Sequence, residues 1–260
     1  PEEGVPGCIA NGIDEKTANK IYDEMTDFAK YAFNKSHAAA YAVVSYQTAW
    51  LKYYYPVEYM AALMTSVIDN PGKVAEYIYS CRQMGIKILP PDINHGYSSF
   101  SVDNGSIRYG LAAIKSIGRP VIKEIVAERK ANGEFKNLKD FIERMSGKDI
   151  NKRTIENFIK SGAFDELGGT RKQFMVIYVQ ILDQVNREKK NSMTGQMSLF
   201  DIVGEEQKSE FDIPLPNVGE YEKSTKLAFE KEVLGIYLSG HPMEEYEEQW
   251  RKGISKTTQD

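Results

Sequence analysis

Apolar positions recur at helical spacing through most of this chain. Ala18, Ile21, Met25 and Phe28 share one face, and Asp14 stands where it can cap a helix over Ile13–Ala29. Ala38–Trp50 is rich in alanine and aromatics and holds no charged residue, which predicts a mostly buried helix capped by Asn34 or Ser36. Pro56 suits the first turn of a helix reaching about Ile68, which Asn70-Pro71-Gly72 breaks. A further helix is predicted over about Lys73–Met84, with Gly85 as its C-terminal cap. Pro90-Pro91 keeps Ile86–Ile93 extended, and Ser99–Val102 and Ile107–Tyr109 flank Asp103-Asn104-Gly105 as a small β-hairpin. Helical spacing resumes over about Pro120–Lys130, Leu138–Met145, Lys152–Lys160, Arg171–Lys190 and Tyr221–Tyr237. Between Asn191 and Gly219 the periodicity fails, and the stretch reads as a linker carrying one apolar cluster, Met197–Val203. The expected fold class is mainly α, multi-helical, with one small β-hairpin.

Composition is that of a globular chain: 42% hydrophobic and 27% charged over 260 residues. The net charge of −4 argues mildly against a dedicated nucleic-acid binder. The charge is uneven, however. Basic residues crowd Lys115–Lys136 and Lys152–Lys172, and acidic ones Glu205–Glu232 and Glu244–Glu248. Cys8 and Cys81 form no Cys-x-x-Cys or Cys/His cluster, so no metal site is expected. There is no signal peptide and no apolar run near the ~20 residues that span a bilayer, so the expected setting is the cytoplasm, away from membranes. The chain opens at Pro1 within a loop-like stretch and closes on a polar stretch, Ile254–Asp260, so both ends read as cut from something longer.

Three stretches carry chemistry. In Phe33-Asn-Lys-Ser-His-Ala-Ala-Ala-Tyr41, Lys35, Ser36 and His37 stand at a helix start. Outward N–H groups, the positive dipole end and cations make a receptor for phosphate there. The plainer alternative is a capped helix with incidental polar residues, and spacing by itself favours it. The second stretch is a pair of similar units. Leu111–Gly118 is followed by Val121–Arg129, and Thr154–Phe164 by Thr170–Val179. Each reads as a helical turn, a tight glycine hairpin and a second helix, the form of a helix-hairpin-helix. Glycine permits close backbone approach, and phosphate is the natural ligand. Lys115, Ser116, Gly118, Arg119 and Lys123 mark the first unit; Lys160, Ser161, Gly162, Arg171 and Lys172 mark the second. Singly, each glycine reads as a helix C-cap amid solvated lysines; the tandem shifts the balance towards DNA. The first unit departs from the usual hairpin, since Arg119-Pro120 follows its glycine. The third stretch is Gln196-Met197-Ser198-Leu199-Phe200, apolar within a polar linker. It reads as a docking peptide with Leu199 and Phe200 as anchors, or as a segment folded back on its own domain.

Phe33–His37, Ala40-Tyr41-Ala42, Ser45–Thr48, Trp50–Lys52, Tyr55-Pro56, Glu58–Ala62 and Lys87–Asn94 resemble, in order, the fingers of the bacterial C-family replicative DNA polymerases, the family of the DNA polymerase III alpha subunit. The resemblance covers about Gly12–Pro242. It implies that Lys35, Ser36, His37 and Tyr41 lie near the incoming nucleotide. It implies that the tandem hairpins grip duplex primer-template DNA. It also implies that Gln196–Phe200 resembles the motif that binds the sliding clamp, with other replisome subunits as further partners. The parent would be a DNA-directed DNA polymerase, a nucleotidyltransferase of DNA replication using Mg2+. Two-metal transfer needs convergent carboxylates, and no Asp-x-Asp occurs here. No catalytic residue and no cofactor are therefore expected in this stretch. The palm would lie before Pro1 and an oligonucleotide-binding barrel after Asp260. The division expected is 1–98 late fingers, 99–190 β-hairpin and tandem hairpins, 191–219 linker with the clamp peptide, and 220–260 the approach to the barrel. Two alternatives from other classes stand beside it: a non-enzymatic helix-hairpin-helix module of a repair protein, and a protein-interaction scaffold.

Overall fold

The computed structural model describes residues 4, 6–30, 35–193 and 213–254. It divides into two compact units, Pro1–Tyr54 and Tyr55–Asp260.

The first unit holds α1 (Glu15–Lys30) and α2 (Lys35–Tyr54). Asp14 caps α1, accepting from the Thr17 N–H at 3.0 Å, and bonds to Thr17 lower its pKa. The predicted burial of Ala38–Trp50 is corrected: α2 forms as a helix, but none of its residues is buried. A helix apolar on all sides expects a covering surface, and the described residues of this unit do not supply one.

The second unit is mainly α. Helices α3 (Pro56–Ser66) and α4 (Pro71–Gln83) carry proline in the first turn, and Asn70 caps α4 through the Lys73 N–H at 3.1 Å. Asn70-Pro71-Gly72 thus starts a helix as well as ending one. The β-hairpin forms as β2 (Ser101–Asp103) and β3 (Ser106–Arg108). Its turn residues Asn104 and Gly105 have φ of 48° and 76°, the left-handed pair a type I′ turn needs. A strand not predicted, β1 (Ile88–Leu89), joins β3 in parallel, with Ile88 opposite Ile107. Then follow α5 (Arg119–Asn132), α6 (Leu138–Met145), α7 (Lys152–Ser161), α8 (Arg171–Met193), α9 (Lys223–Leu234) and α10 (Glu247–Gly253).

One apolar core runs from Met60 and Met64 of α3 through Ile107, Ile122 and Ile125 to Phe174 and Leu234. At its centre Phe141 meets Phe135, Phe164 and Phe158 edge-to-face, with centroids 5.0, 4.9 and 6.1 Å apart. Residues 213–219, read from the sequence as linker, instead lie on α8. Gln173 Nε2 donates to the Pro216 carbonyl at 2.9 Å, and Ile213 packs against the core. Likewise α9 packs on α7.

On the surface of this unit, Glu128 accepts from Lys148 Nζ at 2.5 Å, Asn132 Nδ2 at 2.6 Å and Arg144 Nε at 3.3 Å. The Lys148 bond, with those to Asn132 and Arg144, holds its carboxyl down to about 2, below its ordinary value of 4.5. A folded pKa below the unfolded one contributes stability above the unfolded value, lost as pH falls through the folded one. Glu128→Gln should therefore narrow its stability gap from wild type as pH drops from about 4.5 towards about 2. Urea midpoints taken across that range check this, and a gap independent of pH would refute it.

Candidate nucleic-acid interface

The first hairpin is anchored from below. Leu111, Ile114 and Ile117 are buried, while Ser116 turns outward with φ of 63°. A short 3-10 turn, Leu111–Ala113, stands where a full helical turn is expected. Three bonds hold the loop. The Lys115 N–H donates to the Val233 carbonyl at 2.8 Å, Asn157 Nδ2 to the Lys115 carbonyl at 2.7 Å, and Lys115 Nζ to the Glu232 carbonyl at 2.7 Å. Gly118 is the N-cap of α5, with φ of −73° and no side-chain cap. That φ suits any residue, and a Cβ there would meet only Pro120 Cδ at 3.6 Å. This glycine is not needed for the turn itself. Arg119 pairs with Asp69 at 3.1 Å, both exposed, and Lys123 is exposed. An exposed pair is worth little and exchanges readily for a phosphate.

The second hairpin is built differently. Gly162 is a left-handed C-cap, φ 83°, closing α7 through Gly162 N–H to Ile159 and Ala163 N–H to Phe158. A Cβ at Gly162 would strike the Arg171 guanidinium and the Asp165 carboxylate. The helix-cap alternative therefore describes Gly162 and not Gly118. Gly162→Ala should cost about 2 kcal/mol or more, since the left-handed conformation alone costs ~1–2 kcal/mol. Gly118→Ala should cost less, about 0.5–1 kcal/mol, the disadvantage of alanine against glycine at an N-cap. Equal losses in chemical denaturation would refute the distinction.

The side chains expected to meet phosphate around this second hairpin are turned elsewhere. Ser161 is buried and donates to the Phe158 carbonyl at 2.9 Å. Arg171 is 4% exposed; its guanidinium holds Asp165 at 2.8 Å, Glu230 at 3.4 Å and the Lys160 carbonyl at 3.1 Å. Burial pulls the arginine pKa down, but the bonds to Asp165 and Glu230 raise it above its ordinary value. Lys160 Nζ sits between Glu156 at 2.8 Å and Glu232 at 2.9 Å. Burial again opposes the charge, and these two carboxylates outweigh it, raising the lysine pKa. These contacts tie Ser161, Arg171 and Lys160 into the fold. Lys172 is half-buried, its ammonium 5.9 Å from the centroid of the Tyr221 ring.

The start of α8 is closed as well. The Thr170 N–H donates to Gln173 Oε1 at 2.9 Å, and the Gln173 N–H to Thr170 Oγ1 at 3.1 Å, a reciprocal capping box. The Glu220 carboxylate then takes the Arg171 N–H at 3.2 Å and the Lys172 N–H at 3.3 Å. The Thr-x-x-Gln spacing was visible in the sequence; nothing local pointed to Glu220, Glu230 or Glu232.

Within the second compact unit, a groove of about 510 Å³ runs between the first hairpin and α7. It is lined by Lys115, Lys152, Arg153 and Lys160, against Glu156 and Glu232, among others. Lys152 and Arg153, exposed at the start of α7, are the basic residues that no motif singled out.

In the first unit, Lys35, Ser36 and His37 form the first turn of α2, and the His37 ring lies 4.3 Å from the Tyr41 ring. Phe33, Asn34 and the whole of Gln196–Phe200 (Gln196, Met197, Ser198, Leu199 and Phe200) lie outside the described residues. Among the described residues no three His, Cys, Asp or Glu side chains come together to hold a metal, and no helix is long and apolar enough to cross a membrane.

Two hairpins, each leading into a helix on a shared core, define a helix-hairpin-helix module, and residues 85–174 match the family described as helix-hairpin-helix motif. Beyond that stretch, the chain is related over nearly its whole length to the alpha subunit of DNA polymerase III. It is 43% identical to that of Vibrio cholerae over 92% of this chain and 21% of the relative. It is 41% identical to that of Borreliella burgdorferi over 92% and 21%, and 40% identical to that of Mycobacterium leprae over 91% and 20%. The chain thus spans about a fifth of the length of these relatives.

Proposed function

We propose that this chain is a supporting segment of a replicative DNA polymerase alpha subunit, serving template-directed DNA synthesis in the cytoplasm. Its hairpin module holds primer-template duplex by backbone phosphates, its α2 start faces the incoming nucleotide, and its Gln196–Phe200 peptide tethers the enzyme to the sliding clamp beside other replisome subunits. The observation that carries this reading is the 40–43% identity to DNA polymerase III alpha subunits over more than nine-tenths of the chain. The helix-hairpin-helix match falls inside that span. A repair module or a bare scaffold would account for the hairpins but not for similarity on both sides of them. Polymerisation itself belongs to the longer protein. The chain alone holds no paired aspartates of the kind that bind two Mg2+ ions, and it should not extend a primer.

The test is duplex binding by fluorescence anisotropy across salt concentrations. Log affinity should fall with log salt at about 0.9 per phosphate neutralised, and a flat response would sink the DNA reading. The tether is tested separately. Leu199→Ala with Phe200→Ala should weaken binding to a bacterial sliding clamp by about tenfold or more, since both are anchors. Unchanged affinity would overturn that part alone.

A further inference from the structure

We propose that the two hairpins are not equivalent: the first, extended by the start of α7, takes the DNA backbone, while the second is shut by the chain's own Glu220. This rests on the duplex-binding reading and says which surface of the module carries it.

Three contrasts support it. The helix that follows each hairpin begins differently. At α5 the N-cap is a bare glycine with no side-chain cap, so the first-turn N–H groups have no acceptor of that kind. At α8 the capping box and the Glu220 carboxylate already fill that place. A carboxylate there brings the negative charge and acceptor oxygens that a phosphate would bring. It is fixed by its neighbours: the Thr170 hydroxyl donates to the Gly219 carbonyl at 2.6 Å, and the Tyr221 N–H to Glu220 itself at 2.6 Å.

The glycines differ too. Gly162 serves a left-handed cap with no room for a Cβ, whereas Gly118 has ordinary φ and ordinary space. A glycine that the turn does not need still keeps the backbone bare for close approach of another chain.

The cations differ last. Around the second hairpin Arg171 and Lys160 are committed to Asp165, Glu230, Glu156 and Glu232. Around the first, Lys123 and Arg153 are exposed and carry no ion pair among the described residues. Arg153 lines the same groove as Lys115 and Ser116 of the first hairpin, beside Lys152, whose pair with Asp183 at 3.4 Å is exposed. This groove offers a phosphate backbone Lys115, Lys152 and Arg153, against the carboxylates of Glu156 and Glu232, and a guanidinium grips phosphate with two parallel bonds.

The experiment measures affinity of the full chain for a duplex oligonucleotide as a function of salt. Arg153→Ala should weaken binding several-fold and lower the salt slope by about 0.9, the share of one phosphate. Glu220→Ala should tighten binding and steepen the slope by about the same amount. Glu220→Gln keeps an acceptor for the two N–H groups but removes the charge, and should tighten binding less. Thermal melting confirms that each variant is folded, and Glu220→Gln decides if Glu220→Ala is not. If wild type binds with a salt-dependent affinity and either Arg153→Ala or the folded Glu220 variants leave it unchanged, this proposal is wrong and the duplex reading stands. If wild type shows no salt-dependent binding, the duplex reading fails and this falls with it.

Discussion

Arg171→Ala is expected to lower the unfolding free energy by about 3–5 kcal/mol, the cost of leaving one half of a buried ion pair without its partner. Arg171 joins α8 to α9 through Glu230, which is 1% exposed, and to the hairpin through Asp165. Asp165 is partly exposed and can turn to water once the guanidinium is gone. Glu230 cannot. It keeps only the Leu238 and Ser239 N–H groups, each at 2.9 Å. Glu230→Gln removes the buried charge while its amide oxygen still serves those N–H groups. The double variant should therefore lose less than the two single losses added together. Urea denaturation of the four proteins measures this. Arg171→Lys does not rescue, because an ammonium cannot hold both carboxylates and the Lys160 carbonyl in one plane. An Arg171→Ala protein of unchanged stability with weakened duplex binding would show that the sequence-based role was the right one.

Phe141→Ala should cost a comparable amount, about 3–5 kcal/mol, from lost burial and the cavity left behind. The ring has no solvent exposure and meets three other phenylalanines edge-to-face. Each such pair adds about 0.5–1.5 kcal/mol beyond area. Phe141 stands on α6 between the two hairpin units, so its neighbours come from α7 and the second hairpin as well as from the turn before α6. Phe141→Leu fills most of the volume and should cost roughly half as much. Either loss is a large part of the ~5–15 kcal/mol that a domain holds in total. A loss below about 1 kcal/mol for the alanine variant would mean that this cluster is not the packed centre of the module.

The helices were legible because their signals are local. Leu138–Met145 forms over the residues its periodicity predicts, and Asn104-Gly105 marks the β-turn where the left-handed pair stands. The capping box at Thr170 and Gln173 was also written locally, its two residues three apart. Strand β1 was not legible, since two residues in parallel register gain their identity only from Ile107 and Arg108 across the sheet. Nor was the exposure of α2: an apolar pattern states that a surface is wanted, not where it is.

At the candidate interface the division is sharper. By itself the amino-acid sequence determined the tandem hairpins, the concentration of cations around them and the family they point to. Those depend on residue type and short spacing. Only the tertiary structure decided which cations are spent. Glu220, Glu230 and Glu232 lie about 50 to 120 residues along the chain from the groups they engage: 49 from Glu220 to the Arg171 N–H, 59 from Glu230 to Arg171, 72 from Glu232 to Lys160 and 117 from the Glu232 carbonyl to Lys115. Charge pairing falls off over a few ångströms in space and is indifferent to separation along the chain. No reading of neighbours in sequence could separate the open first hairpin from the second, which folding closes with the chain's own carboxylate.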